Sequence, residues 1–169
     1  MNMKLKNDKH WLEPSDFAQV VQNTPPVSID LVLRDPGGAV LVGYRTFEPA
    51  KEYWFVPGGR IGKSETLDEA FDRITRAEIG VAIAREAARF VGVYEHFYET
   101  NRFNEPGYGT HYVVLGYEIA LPIRPLVKSD DQHSAMKWMT PSEILADPTV
   151  HPNTQAYFAA SLQPSHGEN

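Results

Sequence analysis

The chain has 169 residues, 42% hydrophobic and 22% charged, which is the composition of an ordinary globular protein with room for one core. It contains no cysteine, so a disulfide, a thiolate nucleophile and a cysteine-based zinc site are excluded. The net charge of −6 disfavours nonspecific binding to a nucleic-acid backbone. A diphosphate ligand would therefore need positive charge concentrated locally, by arginine or by a metal ion.

No apolar run approaches the length of a membrane span, and the N-terminus lacks the apolar core of a signal peptide. We therefore expect a cytoplasmic protein that binds neither nucleic acid nor membrane. The chain, 1–169, is interpreted as a single domain with an N-terminal arm at about 1–14 and a frayed tail at about 163–169.

The first half of the chain alternates helical and extended patterns. A short helix is predicted around Phe17, and residues 23–26 end it. Apolar and β-branched residues predict a strand over 27–33, and the turn Asp35-Pro-Gly-Gly38 leads into a returning strand over 39–44. A short aromatic strand follows over 53–56. Residues 65–79 form the strongest helical pattern of the chain.

The second half begins with two extended segments, 90–98 and 111–119, which predict the strands of a long hairpin. Their connection, 99–110, is long and polar, and loops of this kind are often functional or mobile. A short strand is predicted over 135–139, and helices over 141–146 and 152–162. Mixed strands around one strong helix predict an α/β domain with a mixed sheet.

Glu78 is the unusual residue of the strong helix. Leu67, Ala70, Phe71 and Ile74 form an apolar stripe that faces the core, and Glu78 continues this stripe. A half-buried carboxylate costs free energy without a partner. Two interpretations stay open: Glu78 bends out to water near the helix end, or a cation or arginine meets it at the edge of the core.

Two adjacent glycines, Gly58 and Gly59, precede this helix. They permit backbone conformations and a close approach to a ligand that other residues prevent, although Pro-Gly-Gly alone is also an ordinary turn. Loop and helix together resemble the Nudix box, and the positions that match it at the required spacing are Gly59, Glu65, Arg73, Glu78, Gly80 and Val81. The resemblance implies a Nudix fold, in which a mixed β-sheet is sandwiched between α-helices, with this loop and helix as the metal site.

Three positions depart from the general box. Ile74 and Ala77 stand where it has glutamates, and Thr75 stands where it has an aliphatic residue. Most Nudix enzymes attack phosphorus and use clustered carboxylates to hold several divalent ions. A site reduced to Glu78 should hold fewer ions.

The altered box is similar to that of the GDP-mannose mannosyl hydrolases, a branch of the Nudix family. The resemblance runs from about 17 to about 158 and includes Ser28-Ile-Asp-Leu-Val-Leu33, Tyr53-Trp-Phe-Val-Pro-Gly-Gly-Arg-Ile61, His96-Phe-Tyr98, Thr110-His-Tyr-Val-Val-Leu-Gly116, Asp131-Gln-His133 and Val150-His-Pro-Asn153. It implies hydrolysis of GDP-mannose, with GDP-glucose as a second candidate, to GDP and the free sugar. Water would attack the anomeric carbon with inversion.

The same resemblance implies the roles of the reacting groups. His133 is the general base, which suits a side chain that titrates near neutrality. One Mg²⁺ per active site, with Mn²⁺ as an alternative ion, is bound by the backbone carbonyl of Gly58, Glu78 and Gln132. A carbonyl, a carboxylate and an amide are all hard oxygen donors of the kind that Mg²⁺ requires.

The resemblance also implies the substrate contacts. Arg45 and Arg60 bind the leaving diphosphate or the sugar and assist catalysis, and an arginine fork suits phosphate because its charge is permanent and its contacts are bidentate. Asp30 is an acceptor facing the sugar or the nucleotide. The hydroxyl of Tyr112 contacts the diphosphate, and His96 is placed near the site.

The remaining expectations concern structure. Glu65 and Arg73 are interpreted as an ion pair that supports the helix. The family is dimeric, so a homodimer is expected, and Trp11, Leu12 and Phe17 are candidates for its interface. An aromatic side chain in this region is alternatively a stacking surface for guanine.

Two other functions remain open. The first is a pyrophosphohydrolase that converts a nucleotide-sugar to a nucleoside monophosphate and a sugar 1-phosphate. The second is a non-catalytic nucleotide-binding Nudix module, which the eroded box favours. Spacing and composition do not distinguish guanine from adenine, so the nucleobase rests on the resemblance alone.

Overall fold

The computed structural model of the protein describes residues 11–127 and 133–159. In chain order its elements are α1 (Pro14–Asn23), β1 (Val27–Arg34), β2 (Val40–Arg45), β3 (Trp54–Phe55), β4 (Gly58–Arg60), α2 (Leu67–Ile79), β5 (Arg89–Tyr98), β6 (Thr110–Ala120), β7 (His133–Met139), α3 (Pro141–Ala146) and α4 (Pro152–Ala159). The expected arm lies partly, and the expected tail wholly, outside the described residues.

Within the described residues, seven strands form one mixed sheet with the order β3-β2-β1-β6-β5, while β4 pairs with β1 and β7 pairs with β2. β1 and β6 run parallel, and their partners extend from Val27 and Val113 to Arg34 and Ala120. Every residue of β1 from Ser28 to Leu33 is buried, because this central strand is covered on both faces of the sheet.

The core divides into two layers, one on each face of the sheet. On one face, Phe71 and Ile74 of α2 pack against Leu31 of β1, together with neighbouring aliphatic residues. On the other face, Phe158 of α4 packs with Val42 of β2, and Ile144 of α3 belongs to the same cluster. The predicted fold class, an α/β domain with a mixed sheet between helices, is therefore confirmed.

The start of α2 differs from the sequence expectation. The helix begins at Leu67, not at residue 65, because Thr66 and Glu69 form a reciprocal capping box that fixes the first turn. Leu67 is 38% exposed, so the buried stripe begins one turn later, at Ala70. The helix ends at Gly80, whose φ of 73° is the left-handed conformation that glycine adopts at little cost.

The hairpin predicted from Asp35-Pro-Gly-Gly38 is present, but its strands separate early. The Asp35 carboxylate accepts a hydrogen bond from Ala39 N at 2.8 Å, and Arg34 pairs with Val40. Beyond that pair, β1 continues beside β6 and β2 continues beside β7. The predicted long hairpin of β5 and β6 is confirmed, with partners from Arg89 and Glu118 to Tyr98 and Thr110.

None of the helices in the described part of the chain is long and apolar enough to cross a membrane.

Candidate active site

A pocket opens where β1, β4 and α2 meet the loop that precedes β6. It is lined by the predicted site residues Asp30, Arg45, Gly58, Arg60, Glu78 and Tyr112, and also by His96. These residues come from six different elements, so only the tertiary fold brings them to one place. This surface is called the pocket below.

Two predicted residues stand apart from this set. Gln132 lies outside the described residues. His133 is the first residue of β7, where its backbone lies opposite Arg45 of β2. The pairing of β2 and β7 shifts register between Gly43 and Arg45, and such irregularities commonly occur beside functional sites because they redirect the side chains of a strand. The backbone of His133 thus runs beside a residue that lines the pocket.

Gly58 and Gly59 form part of a strand, which corrects the expectation of an open glycine turn. A Cβ atom on Gly58 would collide with the carbonyl oxygen of Ile29 and lie 2.8 Å from Oδ1 of Asp30. One on Gly59 would lie 3.0 Å from Cγ1 of Ile74. The glycines are required because β4 is pressed between β1 and α2, while their φ angles are ordinary.

The carbonyl of Gly58 is not used in pairing β4 with β1. Leu31 N donates to Pro57 O at 2.8 Å, and Ile61 N donates to Val27 O at 2.9 Å. Hydrogen-bonded and non-bonded pairs alternate along an antiparallel ladder, so the intervening Asp30–Gly58 pair is of the non-bonded kind. The Gly58 carbonyl therefore points away from β1, as a ligand-binding carbonyl must.

Asp30 is a buried carboxylate at the centre of β1. It is 7% exposed, and its Oδ2 accepts a hydrogen bond of 2.7 Å from the hydroxyl of Tyr157 on α4. Burial raises the pKa of Asp30 to about 7, although the Tyr157 hydrogen bond and the charge of Arg45 both act to lower it. The carboxyl group is thus balanced between its neutral and charged forms near neutral pH.

The raised pKa of Asp30 predicts a pH-dependent gain of stability for Asp30→Asn. Between the ordinary pKa of 3.8 and about 7, the folded state binds more protons than the unfolded state, so the wild-type protein loses stability as pH rises. The asparagine variant lacks this loss, which amounts to at most about 4 kcal/mol above pH 7. Urea unfolding at pH 4.5, 6 and 8 should show a growing difference.

A matched control for Asp30→Asn is Asp16→Asn, at an exposed position in the first turn of α1. This control should show no growing stability gain over the same pH range. A difference for Asp30→Asn that stays constant from pH 4.5 to pH 8 would contradict the assignment of a costly buried carboxylate.

Arg45 and Arg60 approach the pocket with their charges held against aromatic rings. The guanidinium of Arg60 lies 3.8 Å from the ring centroid of Phe17 and 5.2 Å from that of Trp11. That of Arg45 lies 5.7 Å from the ring of Phe55, and its buried Nε has no hydrogen-bond partner among the described residues. An unpaired buried donor costs free energy, and a hydrogen bond to a ligand oxygen removes this cost.

Two aromatic residues of the N-terminal segment contact an arginine of the pocket lining. Phe17 and Trp11, which were candidates for a dimer contact or for base stacking, pack against Arg60. Burial lowers the pKa of Arg60 from its ordinary value, and the nearby charges of Arg102 and Arg73 act in the same direction. Arg60 remains charged at neutral pH, since arginine does not deprotonate in proteins.

The expected ion pair of Glu65 and Arg73 is present. Arg73 Nε and Nη2 donate to the two carboxylate oxygens of Glu65 at 2.6 and 2.8 Å, and Nη2 also donates to the carbonyl of Arg60 at 2.8 Å. The Glu65 side chain is 2% exposed. The bidentate contact holds Arg73 to the loop before α2, and the bond to the Arg60 carbonyl joins α2 to β4 and supports the backbone that carries Arg60.

The three departures from the Nudix box lie on α2, and two of them line the pocket. Ile74 is 2% exposed and both it and Ala77 line the pocket, so apolar side chains occupy positions where the general pattern has carboxylates. Thr75 is fully buried, and its hydroxyl accepts a hydrogen bond from Ile83 N at 3.2 Å, which an aliphatic residue would leave unmet. Glu78 is half-buried and lines the pocket.

Among the described residues, no group of three or more histidine, cysteine, aspartate or glutamate side chains is arranged to hold a metal ion. The dense carboxylate cluster of the general pattern is therefore missing from this part of the chain.

Two uncharged histidines pack against Phe55, whose ring lines the pocket. Burial lowers the pKa of His96 to about 4, and the same cause, with the charge of Arg45, lowers the pKa of His151 to about 4. His151 Nδ1 accepts a hydrogen bond from Asn153 N at 3.1 Å, which a doubly protonated ring does not allow. His96 was expected near the site and does line the pocket.

Sequence reasoning missed Tyr157, and it singled out the loop that carries Arg102 without assigning that arginine a role. Tyr157, which holds Asp30, lies 127 positions away from it in the chain, and no local pattern links them. Arg102 lines the pocket from the loop that joins β5 to β6, where it reads in the sequence as an ordinary loop arginine. The available signals were the length of that loop and the central position of Asp30 in an apolar strand.

The mixed sheet between helices, with a glycine-bearing strand, a Glu65–Arg73 pair and Glu78 on the following helix, is the arrangement of a Nudix hydrolase. The family model of the NUDIX domain matches residues 24–161, and the chain belongs to this family.

Known relatives agree with this assignment. The chain is 39% identical over 145 residues to the low-salt glycan biosynthesis protein Agl8 of Haloferax volcanii, covering 86% of this chain and 87% of that protein. It resembles the structure of a MutT NUDIX hydrolase from Burkholderia pseudomallei with a TM-score of 0.64 at 25% identity, over 80% of this chain and 96% of the other.

A second similar structure was determined with a bound ligand. The NUDIX domain of Shewanella oneidensis NrtR, complexed with ADP ribose, has a TM-score of 0.61 at 16% identity, over 90% of this chain and 100% of that one.

Proposed function

We propose that this Nudix hydrolase converts GDP-mannose, with GDP-glucose as a second substrate, to GDP and the free sugar. The observation that carries the proposal is the composition of the α2 face of the pocket. Ile74 and Ala77 replace two carboxylates there, and Glu78 remains beside Arg45 and Arg60. A pocket with few carboxylates and several arginines is better suited to binding a diphosphate leaving group than to assembling several metal ions for attack at phosphorus.

In the proposed reaction, His133 accepts a proton from a water molecule whose oxygen bonds to the anomeric carbon. The bond between that carbon and the phosphate oxygen breaks, and its electron pair leaves with GDP. The base activates a single water on the face opposite GDP, so the attack inverts the configuration of the anomeric carbon. The register of β7 supports this role because it starts the strand beside Arg45, a residue that lines the pocket.

The negative charge that develops on the leaving diphosphate would be stabilised by Arg45, Arg60 and Tyr112. All three line the pocket, and the Nε of Arg45 is a buried donor without a described partner. A phosphate is a far better leaving group than a sugar alkoxide, so no separate general acid is needed. Asp30, held by Tyr157, would accept a hydrogen bond from a sugar or nucleotide hydroxyl.

The donors present fit a magnesium ion. The Glu78 carboxylate lines the pocket, and the Gly58 carbonyl in the same lining points away from β1. Both are hard oxygen donors, and the amide oxygen of Gln132 would be a third protein ligand. When bound, the ion would neutralise part of the diphosphate charge. Arg45 and Arg60 would neutralise the rest of the diphosphate charge.

Two relatives support a sugar-bearing nucleotide. The protein from Haloferax volcanii is named for glycan biosynthesis, and the Shewanella oneidensis domain binds ADP ribose, a nucleoside diphosphate linked to a sugar. A homodimer and a single domain over 1–169 belong to the same proposal, and light scattering of the purified chain tests the dimer.

The direct test is to identify both products and the site of oxygen incorporation. We expect incubation with GDP-mannose and Mg²⁺ in ¹⁸O-labelled water to give mannose and GDP whose phosphates carry no label. Formation of GMP, with the label in a phosphate, would instead establish the pyrophosphohydrolase. Tight binding without turnover of GDP-mannose, GDP-glucose, UDP-glucose and ADP-ribose would indicate the non-catalytic module.

A further inference from the structure

The loop of residues 99–110, here called the Asn101 loop, is a firmly held part of the pocket rim. Asn101 is 1% exposed, and its Nδ2 donates to the carbonyls of Glu105 at 2.7 Å and Tyr108 at 2.9 Å. Its Oδ1 accepts from the backbone N–H groups of Phe103 at 3.1 Å and Glu105 at 3.2 Å. One side chain thus uses its full hydrogen-bonding capacity to close the loop.

The Asn101 loop is also fastened to the two segments beside it. Thr100 Oγ1 donates to a carboxylate oxygen of Glu48 at 2.8 Å, and Glu48 is itself part of the pocket lining. The ring of Phe103 meets that of Phe17 edge-on, with centroids 5.8 Å apart. Since Phe17 also covers the guanidinium of Arg60, the loop, α1 and β4 form one packed unit.

Arg102 follows Asn101 directly and lines the pocket from this loop. Its charge acts on two other pocket groups, lowering the pKa of Arg60 and opposing the rise in the pKa of Tyr112. Three arginines, Arg45, Arg60 and Arg102, therefore share the pocket with Arg73, which is paired with Glu65. Within residues 11–127 and 133–159, none of the three forms an ion pair with a carboxylate.

An acidic residue of the loop, Glu105, has another partner. The Glu105 carboxylate accepts a hydrogen bond from the Tyr108 hydroxyl at 2.8 Å. Arg102 lies close enough to Arg60 for the two charges to repel, and Glu65, whose charge favours the charged form of Arg60, is already paired with Arg73. Like charges close together raise the free energy of the empty pocket. Binding of an anion between them relieves this repulsion and is therefore favoured.

We propose that Arg102 is a further binding residue for the diphosphate group of the substrate, and that Asn101 is the positioning residue that presents it. The inference rests on the proposed function in requiring a nucleoside diphosphate ligand, but it does not depend on which bond is cleaved. Arg102 is exposed at the pocket rim, and Arg60 is covered by aromatic rings, so both charges are presented to a ligand in the same pocket.

The test measures binding of GDP, inorganic pyrophosphate and guanosine by calorimetry, with no turnover involved. Arg102→Gln should weaken GDP and pyrophosphate binding roughly 10-fold, the effect of one charge-assisted contact, and leave guanosine unaffected. The matched control is Arg76→Gln, which removes the same charge from the Asp72 pair on the exposed side of α2 and should leave all three affinities unchanged.

Asn101→Ala tests the positioning role. It should weaken GDP binding in the wild-type background but cause no further loss when Arg102 is already glutamine, whereas a purely structural role would weaken binding in both. Unchanged GDP affinity of Arg102→Gln, in a protein that still cleaves nucleotide-sugars, would overturn this inference alone. Equal weakening of GDP and guanosine would place Arg102 on the nucleoside. Failure of the wild-type protein to bind any nucleoside diphosphate would overturn the proposed function as well.

Discussion

Replacing His133 by glutamine is expected to lower kcat for GDP-mannose by roughly 10²- to 10⁴-fold, the usual contribution of a general base. Glutamine keeps the approximate size and hydrogen bonding of histidine but accepts no proton at neutral pH. KM should change little, because the proposed binding residues Arg45, Arg60 and Tyr112 stay in place. Steady-state kinetics over a range of GDP-mannose concentrations gives both constants.

The control for this substitution is His111→Gln. His111 lies on β6, outside the pocket lining, where its ring stacks on Phe97 with centroids 4.1 Å apart. Its replacement should leave kcat within about twofold of the wild-type value, as expected for a surface substitution away from the site. If His133→Gln retained full turnover, the base would have to be another group, and the pH dependence of Asp30→Asn would become the next measurement.

Gly58→Ala is expected to damage folding and activity together. The added Cβ would meet the Ile29 carbonyl and lie 2.8 Å from Oδ1 of Asp30, and backbone atoms of two paired strands cannot move apart without breaking their ladder. We expect a loss of about 3 kcal/mol or more in the free energy of unfolding. Displacing Asp30 and the Gly58 carbonyl by about 1 Å should lower kcat/KM by about 10²-fold in the folded protein.

Gly37→Ala provides the matched control. Gly37 lies in the turn between β1 and β2, and a Cβ there would meet its nearest neighbour, Oδ1 of Asp35, at 3.4 Å, an ordinary contact. Its free energy of unfolding should change by about 0.5 kcal/mol or less. Urea unfolding and kinetics for both variants separate the two effects. A Gly58→Ala protein with wild-type stability and activity would show that β1 and β4 are not pressed together.

Most of the fold could be predicted from local patterns. Alternation and β-branched residues located the strands of the hairpin, and the 3.6-residue repeat located the helix that carries Phe71 and Ile74. The errors occurred where local signals compete. A capping box at Thr66 moved the start of α2, and the pairing of Gly58–Arg60 with β1 made a strand of a segment whose composition indicates a turn.

The site could be predicted only in part. The box spacing selected Glu78, Glu65 and Arg73, because one loop and one helix fix their geometry. The resemblance to a known family selected Asp30 and Arg45, and the structure places both beside Glu78 in the pocket lining. Nothing local could join Asp30 to Tyr157, since a contact across 127 positions depends on how α4 packs on the sheet.

The sequence by itself determined the fold class, the spacing of the Nudix box, and the absence of carboxylates at positions 74 and 77. These are local properties, set by the order of residue types along one loop and one helix. The tertiary structure alone decided how the charges of the pocket are balanced. It buries Asp30 until its pKa rises to about 7, presses Gly58 against β1, and uses Asn101 to hold Arg102 beside Arg60. Burial and long-range packing set these properties, and neither is visible in a residue's neighbours along the chain.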